Sequence, residues 1–136
     1  MKNRIYLLTG IIILFTLTTV FIAIATTTPL PGIKRTDLQR HDLSVQGREV
    51  VQALVELGPG VLAPRHSHPG EEIIYVVKGV FEYVVDNKAP VTVKAGEVLF
   101  IPAGAIHSAR NVGSGSAAEL PTYIVEKGKP LLVAAN

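Results

Sequence analysis

GVLAPRHSHPGEEIIYVVKG, residues 60–79, and GEVLFIPAGAIHSARN, residues 96–111, are the two stretches whose reading decides the fold. The first spaces its special residues as Gly60-x5-His66-x-His68-x3-Glu72-x6-Gly79, the second as Gly96-x5-Pro102-x-Gly104-x2-His107-x3-Asn111. Three imidazoles and one carboxylate form a nitrogen-and-oxygen set suited to a divalent transition metal. In a strand, residues two apart share a face, so His66 and His68 both point inward from a single strand while Ser67 points away. Two residues of a flat ribbon cannot surround an ion. Pro69-Gly70 turns the backbone, and Glu72 then begins a new apolar strand whose same-face partners are Ile74 and Val76. Glu71 competes with Glu72 for the ligand role, and the spacing within the strand favours Glu72. His107 comes from a different hairpin, 35 residues further on, so closed β-structure has to bring it opposite the other three.

The surrounding sequence is a series of short apolar runs divided by Gly, Pro and Asn. Val50 to Leu57 ends at Gly58-Pro59-Gly60, and Glu72 to Val77 turns at Lys78-Gly79 into Val80 to Asp86. Val91 to Val93, Glu97 to Ile101, His107 to Val112 and Ala118 to Val125 follow, separated by turn residues. No stretch after residue 25 shows sustained helical periodicity with caps. Short strands with a turn signal every eight to twelve residues predict an all-β sandwich or barrel.

With both stretches in view, the chain resembles a cupin: it fits that family's two signature patterns without a gap or substitution, with 16 residues between them. The two patterns together fix ten positions, and the compatible strand pattern extends over nearly all of residues 33–136. The resemblance implies a double-stranded β-helix jelly roll with a metal inside the barrel. It implies that His66, His68, Glu72 and His107 are the ligands, that Gly79, Gly96 and Gly104 are turn positions, and that Pro102 stops a strand. Similar proteins are often homodimers, which fits the apolar outward set Ile73, Tyr75 and Val77.

Three neutral histidines and a carboxylate around a divalent ion leave a net charge of about +1, which would welcome an anionic or bidentate oxygen ligand such as a carboxylate, enolate or catecholate. Mn, Fe, Co, Ni, Cu and Zn all accept this donor set. Alternation predicts a lining of Ile74, Val76, Phe81, Tyr83, Val98, Phe100 and Asn111. Apart from Glu72, no carboxylate or lysine falls on these inward phases, and Tyr83 is the one proton-bearing group and the candidate catalytic residue. Gln52 or Glu56 would serve only if the Val50 strand presents that face. Dioxygenase-like chemistry, which asks less of protein acids and bases, therefore stands ahead of isomerase or lyase chemistry. A non-catalytic, metal-dependent binder or sensor of small anions is the alternative, and a barrel with vestigial ligands the third reading. Arg65 and Arg110 flank ligands, but strand parity turns both outward, and His41 has no spaced partner.

Lys2 and Arg4 precede the nearly uncharged apolar run Ile5 to Ile22, and Ala23-Ile24-Ala25 has the small-x-small form of a cleavage site. Residues 1–25 therefore read as a signal peptide, or else an uncleaved membrane anchor, and residues 26–32 as a linker. Either reading places the domain at 33–136 in an extracytoplasmic, periplasmic or secreted setting. From Thr26 onward eleven Lys plus Arg balance eleven Asp plus Glu. The basic balance of the whole chain thus comes from the leader and carries no nucleic-acid signal. With no cysteine in the chain, disulfides, thiolate ligands and a cysteine nucleophile are all excluded. The expected partner is a small-molecule ligand or substrate, with contact to a membrane only through an uncleaved N-terminal segment.

Overall fold

The computed structural model describes residues 30–135; the leader and most of the linker lie outside the described residues. Two five-stranded antiparallel sheets face each other. The first runs, in spatial order, β1 (Ile33–Asp42), β2 (Arg48–Leu57), β9 (Ala117–Glu126), β4 (Gly70–Lys78) and β7 (Val98–Ile101). The second runs β10 (Val133–Ala134), β3 (Leu62–Ser67), β8 (His107–Asn111), β5 (Val80–Val85) and β6 (Val91–Lys94). From β2 to β5 the chain passes from one sheet to the other and back, and this winding is the double-stranded β-helix jelly roll. No described residue is helical.

Alternation drives the packing. On β2, Val51, Ala53, Val55 and Leu57 are buried, and the intervening residues are only partly so. Gln52 and Glu56 take that outward phase, Gln52 bonded to Gln39 and Thr122 and Glu56 to Lys34, so neither serves the interior. Ile74 and Val76 of β4 meet Phe81 and Tyr83 of β5 in one core cluster, so Val76 and Phe81 act as core. Two glycines permit close approaches. A Cβ on Gly70 would lie 2.1 Å from the Ile124 carbonyl oxygen, so only glycine lets β4 start hard against β9. Gly79 has φ +81°, and a Cβ there would also meet Ala117 at 2.7 Å.

Three elements depart from the sequence reading. β1 was not anticipated: its ten residues alternate poorly, and nine of them are exposed. The ladder to β2 holds it, with a register shift between Asp37 and Gln39. On β7 the predicted phase is reversed. Val98 and Phe100 are 60% and 56% exposed, whereas Ile101 is buried and Leu99 packs against the core. Directly paired antiparallel residues share a face, and β7 pairs Val98 with Tyr75 and Phe100 with Ile73, both outward. Alternation misleads here because Glu97, the polar residue that opens the run, accepts the Lys94 N–H at 2.7 Å and so belongs to the turn, not to the strand. Asn111 is the third correction. It is fully buried, yet it faces no cavity: its Nδ2 donates to the carbonyls of Leu57, Gly58 and Gly115, and its Oδ1 accepts the Gly113 N–H. It clips the end of β2 to the loop after β8.

Candidate metal centre

Both sheets contribute to the cluster. On the second sheet, His66 of β3 is paired directly with His107 of β8. His68 lies one residue beyond the end of β3, in the short connection to β4, and Glu72 reaches in from β4 on the first sheet. The pairing of β3 with β8 shifts between Ala63 and His66, so simple two-residue parity does not hold along β3. Arg65, read as outward from that parity, lines the same cavity as His66. Ligand atoms of His66, His68 and His107 all lie within 4.8 Å of one another. Glu72 Oε2 is 3.1 Å from His107 Nε2 and 3.4 Å from His68 Nε2.

The backbone fixes which nitrogen of each ring is available. Nδ1 of His66 donates to the Pro64 carbonyl at 2.7 Å, that of His68 to Leu131 at 2.6 Å, and that of His107 to Ala105 at 3.0 Å. In the neutral rings these bonds place the proton on Nδ1 and leave the Nε2 lone pair as acceptor, the arrangement found behind metal-ligating histidines. His68 Nε2 and Glu72 Oε2 are buried and form no hydrogen bond. Two buried polar atoms without partners, facing two further lone pairs, fit a divalent cation by number and chemistry.

Electrostatics point the same way. Burial pushes His66 down to about 4, overriding its bond to Pro64, so it is neutral at ordinary pH. Burial alone would raise Glu72, but His107 and His68 beside it hold its carboxyl down at about 2. His107 is raised: burial opposes its charge, and the neighbouring Glu72 carboxylate outweighs that.

A cavity of about 340 Å³ opens beside the cluster, lined in part by His66, Glu72 and His107. Of the residues that alternation placed inward, Ile74 and Tyr83 line it. It also contains a carboxylate where none was expected. Glu119 of β9 is buried, lines the cavity and accepts the Tyr83 hydroxyl through Oε2. Burial raises Glu119 to about 7, with the Glu72 charge adding to the rise, while the Tyr83 bond opposes it. Burial also raises the Tyr83 phenol, and the Glu119 charge raises it further. The sequence signal was present but blurred: Glu119 is in phase with Tyr123 and Val125, but Leu120 and Ile124 make the opposite face of β9 equally apolar. Tyr123 packs its ring 4.7 Å from that of His68, and Arg35 of β1 donates to the Tyr123 hydroxyl at 3.3 Å. Arg35 also lines the cavity, a placement that required β1 to be known. His41 and Arg110 are exposed and stand apart from it.

Known proteins resemble this chain over part of its length. An auxin-binding protein of Prunus persica is 33% identical over 84 residues, covering 58% of this chain and 40% of that protein. An oxalate-binding protein of Thermotoga maritima is 42% identical over 65 residues, covering 46% and 51%. The chain thus spans about half or less of the length of these relatives. Among solved structures, an oxalate oxidase superposes with a TM-score of 0.62 at 30% identity, over 76% of this chain and 55% of that one. The cupin domain profile matches residues 53–129, more than half of the chain and inclusive of both histidine motifs, so this protein belongs to the cupin family.

Proposed function

We propose that this chain is an extracytoplasmic, metal-dependent oxidoreductase whose His66, His68, Glu72 and His107 hold one divalent transition metal that receives a small oxygen-donor anion. The observation that carries this reading is that all three rings tie Nδ1 to a backbone carbonyl, which leaves each Nε2 to accept, with those of His68 and His107 beside Glu72. The donor set accepts Fe, Mn, Ni, Cu, Co or Zn. When bound, the ion supplies Lewis acidity and, for the redox-active members, electron transfer. Relatives named for oxalate binding and oxalate oxidase support a carboxylate ligand and oxidative chemistry. The anion would meet the His66 and His107 end of the cavity, and Tyr123, held by Arg35, forms part of the remaining wall. As a partner we propose a second copy of the chain, meeting through the exposed apolar face of β4 and β7 built from Ile73, Tyr75, Val77, Val98 and Phe100.

A second reading rests on Glu119. A buried carboxyl with its proton affinity near neutrality, bonded to a phenol in the same cavity, is what proton transfer requires, and favours isomerase or lyase chemistry. The inference that the site lacks an acid or base of its own does not hold. One experiment separates the two readings. Protein loaded with Fe(II) or Mn(II) is given carboxylates and enolisable diketones, and both oxygen consumption and deuterium exchange at the α-carbon are followed. Oxygen uptake dependent on His107 supports the first reading; exchange without oxygen uptake, lost in Glu119→Gln, supports the second. Failure to take up any metal would sink both.

A further inference from the structure

The cavity beside the cluster is large and mostly hydrocarbon. Its volume of about 340 Å³ is more than twice the ~150 Å³ of an apolar cavity that takes up benzene. Its walls are Ile33 and Val55 from β1 and β2, Ile74 from β4, and Ala63 and Ala109 from β3 and β8. The last two explain the room. Ala63 and Ala109 are direct cross-strand partners, so two methyl groups stand where larger apolar side chains would fill the space between the sheets. Leu30 and Leu132, each at least half exposed, edge its opening. The polar groups belong to the histidine cluster, the Glu119–Tyr83 pair and two arginines. Arg35 Nε donates to Asp37 at 2.8 Å and Arg65 Nη1 to Asn87 at 2.6 Å, while Arg65 Nε is buried without a partner.

We infer that the ligand of this site is a carboxylate or enolate carrying an apolar body, a ring or a chain of several carbons, which lies along the Ala63–Ala109 wall while its oxygens face the histidine cluster. This rests on the metal-anion reading above and narrows it. Oxalate, with six heavy atoms and no apolar part, would leave more than half of the room empty even with both of its carboxylates facing the metal. An apolar body instead replaces water along a wall that offers water no hydrogen bonds.

The test is a carboxylate series on the full-length protein loaded with Co(II), with binding read from the visible spectrum of the metal. Each methylene that enters the cavity contributes ~0.8 kcal/mol, or about fourfold in affinity. Acetate, butyrate and hexanoate should therefore bind progressively tighter, hexanoate at least tenfold tighter than acetate, with phenylacetate also well ahead of acetate. Ala109→Leu, which fills the wall, should remove most of that gain; Ala63→Val reads the same wall from the facing strand should the first substitution disturb the fold. A flat series from acetate to hexanoate overturns the apolar-body inference while leaving the metal-anion reading standing. Adipate binding much more tightly than hexanoate would overturn it too, because the arginines would then be the second anchor. No spectral response to any carboxylate would remove the reading beneath it as well.

Discussion

Glu119→Gln offers the sharpest test of the cavity's electrostatics. The wild-type carboxyl moves from an ordinary 4.5 to about 7 on folding, through burial above all. At ~1.36 kcal/mol per tenfold change in proton affinity, the folded state holds this proton about 3 kcal/mol more tightly than the unfolded chain. The sign follows directly. Between pH 4.5 and about 7 the folded state binds more protons than the unfolded state, so this group's contribution to stability falls as pH rises through that window and is lost above it. The amide is nearly isosteric, its oxygen can accept the Tyr83 hydroxyl, and it never ionises.

The other shifted groups are the same in both proteins, so the difference between variant and wild type isolates Glu119. The charged and titratable groups around it are Tyr83, Glu72 and His107. Urea unfolding of the metal-free proteins should give similar stabilities near pH 5. By pH 8.5 the variant should be the more stable by about 3 kcal/mol, because only the wild type then buries an anion. A loaded cation favours the ionised carboxyl by its positive charge and should shrink that gap. Parallel pH profiles for the two proteins, or a variant that is the less stable at pH 8.5, would refute the reasoning.

His66→Ala and His107→Ala should each abolish stoichiometric metal in elemental analysis while the circular dichroism of the β-domain persists; unfolding of either would make the metal structural. Metal occupancy should fall as pH drops, since coordination needs neutral rings and the raised proton affinity of His107 adds to the competition; occupancy that stays flat between pH 7 and 4 contradicts imidazole ligation. Asn111→Ala removes four hydrogen bonds at ~1 kcal/mol each, so chemical denaturation should register a loss of about 3–4 kcal/mol with metal uptake retained. Phe100→Lys should shift the sedimentation coefficient from dimer to monomer, and an unchanged value would remove this face as the contact.

The parts of this fold that were legible in the sequence are those in which one side chain had to stand at one place. Side chains that must converge on one point tolerate little error, so the clustered His66, His68 and His107, with Glu72 beside the last two, leave a spacing that survives inspection of the bare chain. Strands also showed clearly where turn residues bounded a short run with inward and outward phases, as along Val80 to Asp86, where Glu82 stands between Phe81 and Tyr83. Legibility failed where a local interaction broke the period of two. Glu97 turned back to the Lys94 amide and reversed the apparent phase of β7. The register shift between Ala63 and His66 swung Arg65 toward the cavity. β1 is held by main-chain pairing at an exposed edge, where side-chain pattern has little to report.

Glu119 shows why the ligand is harder to read than the metal. A residue that only has to face the cavity can be supplied by any inward position of any strand, so natural sequences need no fixed spacing for it. Here the suppliers are β9, which gives Glu119 and Tyr123, β1, which gives Arg35, and a facing pair of alanines that contributes by being small. None of the metal-motif residues is among them. The histidine spacing would be unchanged if Ala109 were leucine or Glu119 valine, yet the cavity would then be smaller or without its acid. On the reading proposed above, what this cupin binds is decided at positions 35, 63, 109, 119 and 123, and substitutions there should change the ligand while leaving the histidine cluster in place.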